Sequence, residues 1–140
     1  MVIAVASSFL LGSLTTYAIL QRSVTLKSLA TVKFVGVEAY EDSGLTKPLT
    51  QITWGMVEPS ENKDFTCYMK NPSNVPIVLT FTTSNWQPAN TTTFITLSWS
   101  YDGSQIPTAS SRLVVFTLHI APNIVGIAAF SFDITIIGSG

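Results

Sequence analysis

Apolar and polar residues alternate in short runs along most of the chain after residue 30, and Pro, Gly, Asn and Ser separate the runs. Because successive side chains of a β-strand point to opposite faces of a sheet, this pattern predicts strands that each bury one face. Seven candidate strands follow from it: residues 31–40, 51–54, 64–70, 77–83, 94–101, 112–120 and 129–136. The sequence therefore predicts an all-β domain.

The number of candidate strands favours an immunoglobulin-like β-sandwich of about seven antiparallel strands. Two runs have a clear core face, made by Ile95, Leu97, Trp99 and Tyr101 in one and by Phe130, Phe132, Ile134 and Ile136 in the other. Residues 112–120 place Val114, Phe116, Leu118 and Ile120 inward, but Leu113 and Val115 make the reverse face apolar as well. That second face is predicted to need a cover, such as another subunit.

The first twenty residues, MVIAVASSFLLGSLTTYAIL, carry no charge, and Arg22 is the first charged residue. About twenty helical residues span the roughly 30 Å of a bilayer core. We therefore expect a hydrophobic α-helix over residues 1–22, a connector over residues 23–30 and the sandwich over residues 31–140. No basic residue precedes the apolar run, which disfavours a removable signal peptide and is consistent with numbering that begins at a processed chain.

Small residues recur every four positions in this segment, at Ala4, Ser8, Gly12 and Thr16. On a helix they would form one narrow stripe, and such stripes let helix backbones approach closely. The stripe favours packing against other copies of the chain. The alternative is a lone membrane anchor, in which small residues are simply tolerated.

Composition narrows the class of protein further. Only 11% of the residues are charged, against roughly 25% in ordinary soluble domains, and the net charge is −1. A nucleic-acid backbone needs a basic surface, so nucleic-acid binding is disfavoured. Asn90 begins the acceptor triplet Asn-Thr-Thr, a glycosylation candidate that favours an extracellular location.

Residues capable of catalysis or metal binding are sparse. The single histidine, His119, lies within a predicted strand with no nucleophile motif beside it, and the glycines form no phosphate-binding loop. Residues 38–44, with Glu58 and Glu61, offer carboxylates for calcium but no regular ligand spacing. Cys67 shares a strand face with Phe65 and Met69 and is interpreted as a small buried hydrophobe. The sequence predicts no enzyme activity, no cofactor and no metal site.

Several stretches resemble small archaeal surface proteins that have one N-terminal hydrophobic helix and one sandwich. These stretches are residues 54–59 (WGMVEP), 67–81 (CYMKNPSNVPIVLTF), 84–88 (SNWQP), 97–103 (LSWSYDG) and 130–138 (FSFDITIIG). The architecture is also similar to archaeal type IV pilins, although Val5 stands where bacterial pilins carry a glutamate. The resemblance implies a filament whose core is a bundle of helices and whose outer sheath is made of sandwiches.

The combined expectation is a structural, pilin-like subunit of an extracellular archaeal surface filament. It would be inserted in the membrane before assembly, would polymerise with itself through the helix, and would serve adhesion to an unknown surface or glycan. The alternative is a monomeric, membrane-anchored binding module that recognises glycan or protein through its loops. Trp86 and Tyr101 are the candidate contacts in that case.

Overall fold

A computed structural model describes residues 2–5, 20–23 and 35–140 of the chain. The chain divides into two compact units, Met1–Val32 and Lys33–Gly140. In the first unit, strand β1 (Val2–Val5) pairs antiparallel with strand β2 (Leu20–Ser23). Val2 lies opposite Ser23 in this small sheet, and Val5 lies opposite Leu20.

The predicted hydrophobic helix over residues 1–22 is wrong, because both of its ends are strands. Val2, Ile3 and Val5 are β-branched, and such residues lose side-chain freedom in a helix and fit a strand better. A continuous apolar run has no periodicity that would separate the two structures. Residues 6–19 lie outside the described residues. Within the described residues there is no helix of seven or more residues, and none long and apolar enough to cross a membrane.

The second unit is built from two antiparallel sheets. Strands β3, β4, β7 and β6 form a four-stranded sheet in that order, and β5 and β8 form a two-stranded sheet. A 3₁₀ helix, Ala89–Thr93, connects β5 to β6. The strand bounds are β3 (Glu38–Tyr40), β4 (Asn62–Lys70), β5 (Val78–Gln87), β6 (Ile95–Trp99), β7 (Ser111–Ile120) and β8 (Ser131–Ser139).

The predicted fold class, a helix followed by a seven-stranded immunoglobulin-like sandwich, is therefore wrong in its strands as well as its helix. Residues 51–54 form no strand, and the described part of residues 31–40 contains only the short β3. Six strands remain in the second unit, divided four to two between the sheets. The run at 51–54 alternates as a strand would, but none of the described strands pairs with it.

The core lies between the two sheets, where their inward faces meet. Phe81 of β5 contacts Trp99 and Phe116 of the four-stranded sheet, with ring centroids 4.6 and 5.7 Å apart. The predicted core faces of the later strands are confirmed by this packing: the inward residues of β6, β7 and β8 belong to two apolar clusters. The outward face of β7 is open at Leu113, which is 51% exposed.

The chain enters the second unit beside the carboxyl end of β8. Ser73 Oγ accepts a hydrogen bond from the Gly36 N–H at 2.6 Å, which fixes the backbone there. A Cβ atom added to Gly138 would lie 3.2 Å from the Gly36 carbonyl oxygen and 3.2 Å from Ile77 Cδ1. A larger residue at position 138 would force these neighbours to shift by a few tenths of an ångström. The residues leading into β3 are thus held against the end of β8.

Candidate functional site

The candidate site is the edge of β8 that faces away from β5. Within the described part of the chain, β8 is hydrogen-bonded to β5 and to no other strand. In an antiparallel pair, alternate residues direct both backbone groups toward the partner, and the residues between them direct theirs away. Half of the β8 backbone groups therefore point to an edge with no partner strand. Such an edge is a template for another extended chain.

The outer edge of β5 differs, because it is partly covered. Ile77, which precedes the strand, exchanges two backbone hydrogen bonds with Ile106, at 3.1 and 2.8 Å. Near the other end, the ladder to β8 is interrupted by a bulge between Ser84 and Gln87, with Asn85 in the left-handed region at φ 55°. Bulges twist an edge and discourage further pairing. Among the described residues, the β8 edge has no such bridge or bulge, and only its carboxyl end is approached, by Gly36 and Val37 at Gly138.

A groove of about 1230 Å³ lies between β8 and the strandless segment of residues 49–59. We call it the β8 groove. Ile134 and Ile136 line it from β8, Trp54 lines it from the opposite segment, and Phe116 and Ile120 of β7 lie at its base. Small-molecule pockets usually measure about 300 to 1,000 Å³. The β8 groove exceeds that range and follows a strand, so its shape suits an extended polypeptide.

The segment opposite β8 is held in place without being part of a sheet. The Leu49 N–H donates to the Ala39 carbonyl at 2.9 Å, which anchors its beginning beside β3. Further along, Lys63 Nζ donates to the Met56 carbonyl at 2.6 Å, and the Trp54 ring meets Phe65 edge-on at 6.3 Å. The segment thus covers part of the four-stranded sheet but leaves space between itself and β8.

The groove has apolar side chains along β8 and β7, a mixed polar and apolar opposite wall, and an acidic border. Among the described residues, the charged side chains that line it are Glu58 and Asp133. Asp133 lies on the outward face of β8, where its carboxylate accepts a hydrogen bond from Asn85 Nδ2 at 2.7 Å. A partner that fills the groove would therefore meet an apolar interior and negative charge at the rim.

Of the residues predicted to pack as a helix stripe, the structure describes only Ala4. Ala4 lies in β1, whereas Ser8, Gly12 and Thr16 lie outside the described residues. Asn90, the glycosylation candidate, is exposed in the 3₁₀ helix Ala89–Thr93 and is absent from the lining of the β8 groove.

The two predicted loop contacts are engaged inside the domain. The Trp86 ring stacks on Phe132 at 4.0 Å, and its Nε1 donates to Thr83 Oγ1 at 3.1 Å. The Tyr101 hydroxyl accepts a hydrogen bond from the Leu79 N–H at 3.2 Å and donates to the Ser104 carbonyl. Both side chains are half-buried. They brace loops against strands in this structure.

Cys67 and His119 have the environments that their strand positions predict. Cys67 is fully buried and its thiol lies 3.5 Å from the Val114 carbonyl oxygen, and burial raises the pKa of the thiol to about 11. His119 is exposed, with Nδ1 2.6 Å from Asn62 Oδ1. Neither residue lies among potential catalytic partners, and the interpretation of Cys67 as a buried hydrophobe is confirmed.

Within residues 38–44, the Asp42 carboxylate is engaged by its own loop. Asp42 accepts hydrogen bonds from the Thr46 hydroxyl and from the Lys47 and Thr46 N–H groups, which lower the pKa of its carboxyl to about 2. Over the part of the chain that the structure describes, no group of three or more His, Cys, Asp or Glu side chains could hold a metal ion.

No protein-family model, curated protein or solved structure matches the chain. Functional conclusions therefore rest on the residues themselves, and the β8 groove is the feature that the sequence analysis missed. Its sequence signal is the apolar stretch of residues 124–130, IVGIAAF, which precedes β8 and helps to line the groove. When the connection between two strands is this apolar, it indicates a surface that binds another molecule.

Proposed function

We propose that this protein is a structural subunit of an extracellular surface filament, in which copies are joined by strand addition at the β8 edge. The proposed contact between copies does not use the N-terminal helix that the sequence predicted. The proposal keeps the predicted class of protein, a self-polymerising subunit, and replaces the contact between subunits. Adhesion is the role that the resemblance to archaeal surface proteins implies.

One observation carries the proposal: among the residues that the structure describes, no strand pairs with the outer edge of β8, and this edge lies beside a large, partly apolar groove. Natural proteins usually protect an exposed edge with charge, proline, a bulge or a covering segment. Ser131–Ser139 has no proline, and its one charged residue is Asp133. An extended chain added there would gain main-chain hydrogen bonds along β8 and would bury its apolar side chains in the groove.

The composition supports an extracellular location and a role as a repeated subunit of a filament. The outward faces of β5 and β8 carry mostly uncharged polar side chains, including Thr80, Thr82 and Thr135, with Asp133 as the charged residue on β8. Asn90 is exposed and available for glycosylation on a side of the domain that does not line the groove. A low-charge, hydroxyl-rich surface with a glycosylation candidate suits a filament exposed to solvent.

The alternative, a monomeric binding module, has less support. Its predicted contacts, Trp86 and Tyr101, make hydrogen bonds and ring contacts within the domain. They would have to give up these partners in order to bind a ligand. The exposed apolar residue Leu113, on the outward face of β7, offers a surface for weak association.

The experiment measures assembly of the full chain. We expect the refolded protein to form fibres of uniform diameter, seen by negative-stain microscopy, and light scattering that rises above a critical concentration. Ile134→Lys places a charge in the groove and should abolish fibres, whereas Thr135→Lys places the same charge on the outward face and should permit them. Near-ultraviolet circular dichroism checks that both variants fold. A wild-type chain that stays monomeric at all concentrations would refute the function.

A further inference from the structure

We propose that the outward face of the four-stranded sheet is a contact between two copies of this chain, which pack face to face about a two-fold axis. The face is made by the alternate, outward residues of 62–70 in β4 and 111–119 in β7, and we call it the β4–β7 face. The contact uses neither the β8 edge nor the β8 groove, so it goes beyond the proposed function and does not depend on it.

The centre of the β4–β7 face is apolar and exposed. Leu113 is 51% exposed, and Val115 on the same face is half-buried. Tyr68 lies opposite Leu113 in the ladder, and Tyr40 of β3 lies opposite Tyr68, so one row across the sheet is aromatic and apolar. The neighbouring Thr66 is exposed and polar. An apolar centre with a polar rim is the usual composition of a contact between proteins.

The charges on β4 have opposite signs and lie apart on the strand. Lys70 is at its carboxyl end, and Asp64 is near its beginning. Asp64 accepts a hydrogen bond from the Thr117 hydroxyl at 2.7 Å. Glu38 lies opposite Lys70 in the ladder, but among the described residues no ion pair joins Lys70 to any carboxylate. Both charges are therefore available to a second copy.

The order of these residues is self-complementary. The lysine and the aspartate of β4 lie three residues on either side of Cys67, and Leu113 and Val115 lie one residue on either side of Val114. Cys67 and Val114 lie opposite each other in the ladder. The charged pair and the apolar pair are thus centred on the same level of the sheet.

A two-fold axis that runs across the strands at this level, between two such faces, brings complementary residues together. In an isologous contact each pair of residues meets twice. Leu113 would face Val115 of the second copy, and Lys70 would face Asp64 of the second copy. Tyr68 would face Thr66, so a large side chain would lie against a small one. Packed sheets cross at about 30°, which the long lysine side chain can accommodate.

The other face-to-face arrangement, with the two-fold axis along the strands, fits less well. It would place β4 of one copy on β7 of the other with residues of the same level together. Lys70 would then face Ser111, and Asp64 would face Thr117. Neither charge would meet an opposite charge, so the charges favour the axis that runs across the strands.

The size of the face limits the strength of the contact. β4 has 9 residues, and the sheet has four strands. At about 3.4 Å per residue and about 4.8 Å between strands, the face measures at most roughly 30 by 20 Å. Two such faces would bury about 1,200 Å², which is at the lower limit for a stable protein–protein interface. We therefore expect a dimer that dissociates in the micromolar range or above.

The experiment exchanges the charges of the contact in the full-length chain. Asp64→Lys places a lysine against Lys70 of the second copy, and Lys70→Glu places a glutamate against Asp64, so each variant alone has like charges at both symmetric positions. Sedimentation velocity, below the concentration at which fibres form, should show a dimer dissociation constant raised about tenfold or more in each. An equimolar mixture of the two should restore the dimer, because both positions then join opposite charges. A general loss of folding could not be restored in this way.

A second pair of variants tests the apolar centre. Leu113→Lys should leave the chain monomeric at concentrations where the wild type is dimeric, because a charge would be buried against Val115 of the second copy. Thr80→Lys places the same charge on the outward face of β5 and is the matched control, which should dimerise as the wild type does. Near-ultraviolet circular dichroism checks that each variant folds.

The possible results separate this contact from the proposed function. A wild-type chain that is monomeric below the fibre concentration would overturn the contact and leave the tyrosine row to a different ligand. Single variants that dimerise as well as the wild type, or a mixture no stronger than its components, would also overturn it. Fibres could still form in each of these cases. Dimers without fibres at any concentration would support the contact and refute the proposed function.

Discussion

The two sides of β8 contrast in how the protein completes its core. On the β5 side, which we call the closed side, Leu79 is 3% exposed and the Phe81 ring meets Trp99 at 4.6 Å. On the other side, Ile134 and Ile136 face the β8 groove and are only half-buried. Both sides have apolar side chains of similar size. The two sides differ in that the closed side has a hydrogen-bonded neighbouring strand, whereas no described strand pairs with β8 on the other side.

The largest effect that tests this contrast is expected from Leu79→Ala on the closed side. The residue is buried and absent from the groove lining, so its truncation leaves a cavity that the packed rings around it cannot fill. We expect a loss of about 2 to 5 kcal/mol in the free energy of unfolding. Denaturant unfolding followed by tryptophan fluorescence measures it. A loss below about 1 kcal/mol would mean that the closed side is not tightly packed.

A second test uses the buried thiol of Cys67, which is also absent from the groove lining. Burial raises its pKa from 9.0 to about 11, so between these values the folded state holds a proton that the unfolded state releases. The free energy of unfolding should therefore fall as pH rises from about 9 to 11, by at most about 3 kcal/mol.

The Cys67→Ala variant is the control for the other groups that titrate in this range. Its free energy of unfolding should fall less steeply with pH than that of the wild type. Parallel slopes for the two proteins would show that water reaches the thiol.

A smaller effect on stability is expected from Ile134→Ala on the open side. The side chain is half-buried, so we expect a loss of about 1 kcal/mol in the free energy of unfolding of the monomer. Assembly should suffer more than stability, and the critical concentration should rise, because the groove contact loses apolar area in every subunit. Thr135→Ala serves as the outward-facing control. Equal losses for Ile134→Ala and Leu79→Ala would contradict the contrast between the two sides.

The smallest effect is expected from Asn90→Gln. Asn90 is exposed and lies away from the groove lining, so stability should change by less than about 0.5 kcal/mol and fibres should still form. Mass spectrometry of native protein should show sugar on the Asn90 peptide and none after the substitution. An unmodified Asn90 peptide in native material would remove the support that glycosylation gives to an extracellular location.

Alternation in the sequence predicts the strands well where each has a hydrogen-bonded neighbour. β4, β7 and β8 lie close to their predicted positions, and their inward residues match the predicted faces. Residues 51–54 alternate equally well but form no strand, although Ile52 and Trp54 pack on the core. The alternation of apolar and polar residues indicates which face of a segment is buried. The segment forms a strand only if a neighbouring strand can also pair with it.

The candidate site could not be predicted for a related reason. An unpaired edge follows from the order of strands in a sheet, which local patterns do not encode. The N-terminal segment was mispredicted for a different reason. Its apolar run is long enough for a membrane-spanning helix, yet Val2–Val5 is a strand. Without a charge or polar residue to set a period, hydropathy could not distinguish the two structures.

The fluorescence of the three tryptophans can be used to detect binding in the groove. Trp99 lies among Phe81, Tyr101 and Phe116, and Trp86 is stacked on Phe132, so their surroundings are set within the domain. Trp54 instead lines the groove. An inserted strand would remove water from the Trp54 indole and shift its emission to shorter wavelength, so polymer growth could be timed in solution without a label.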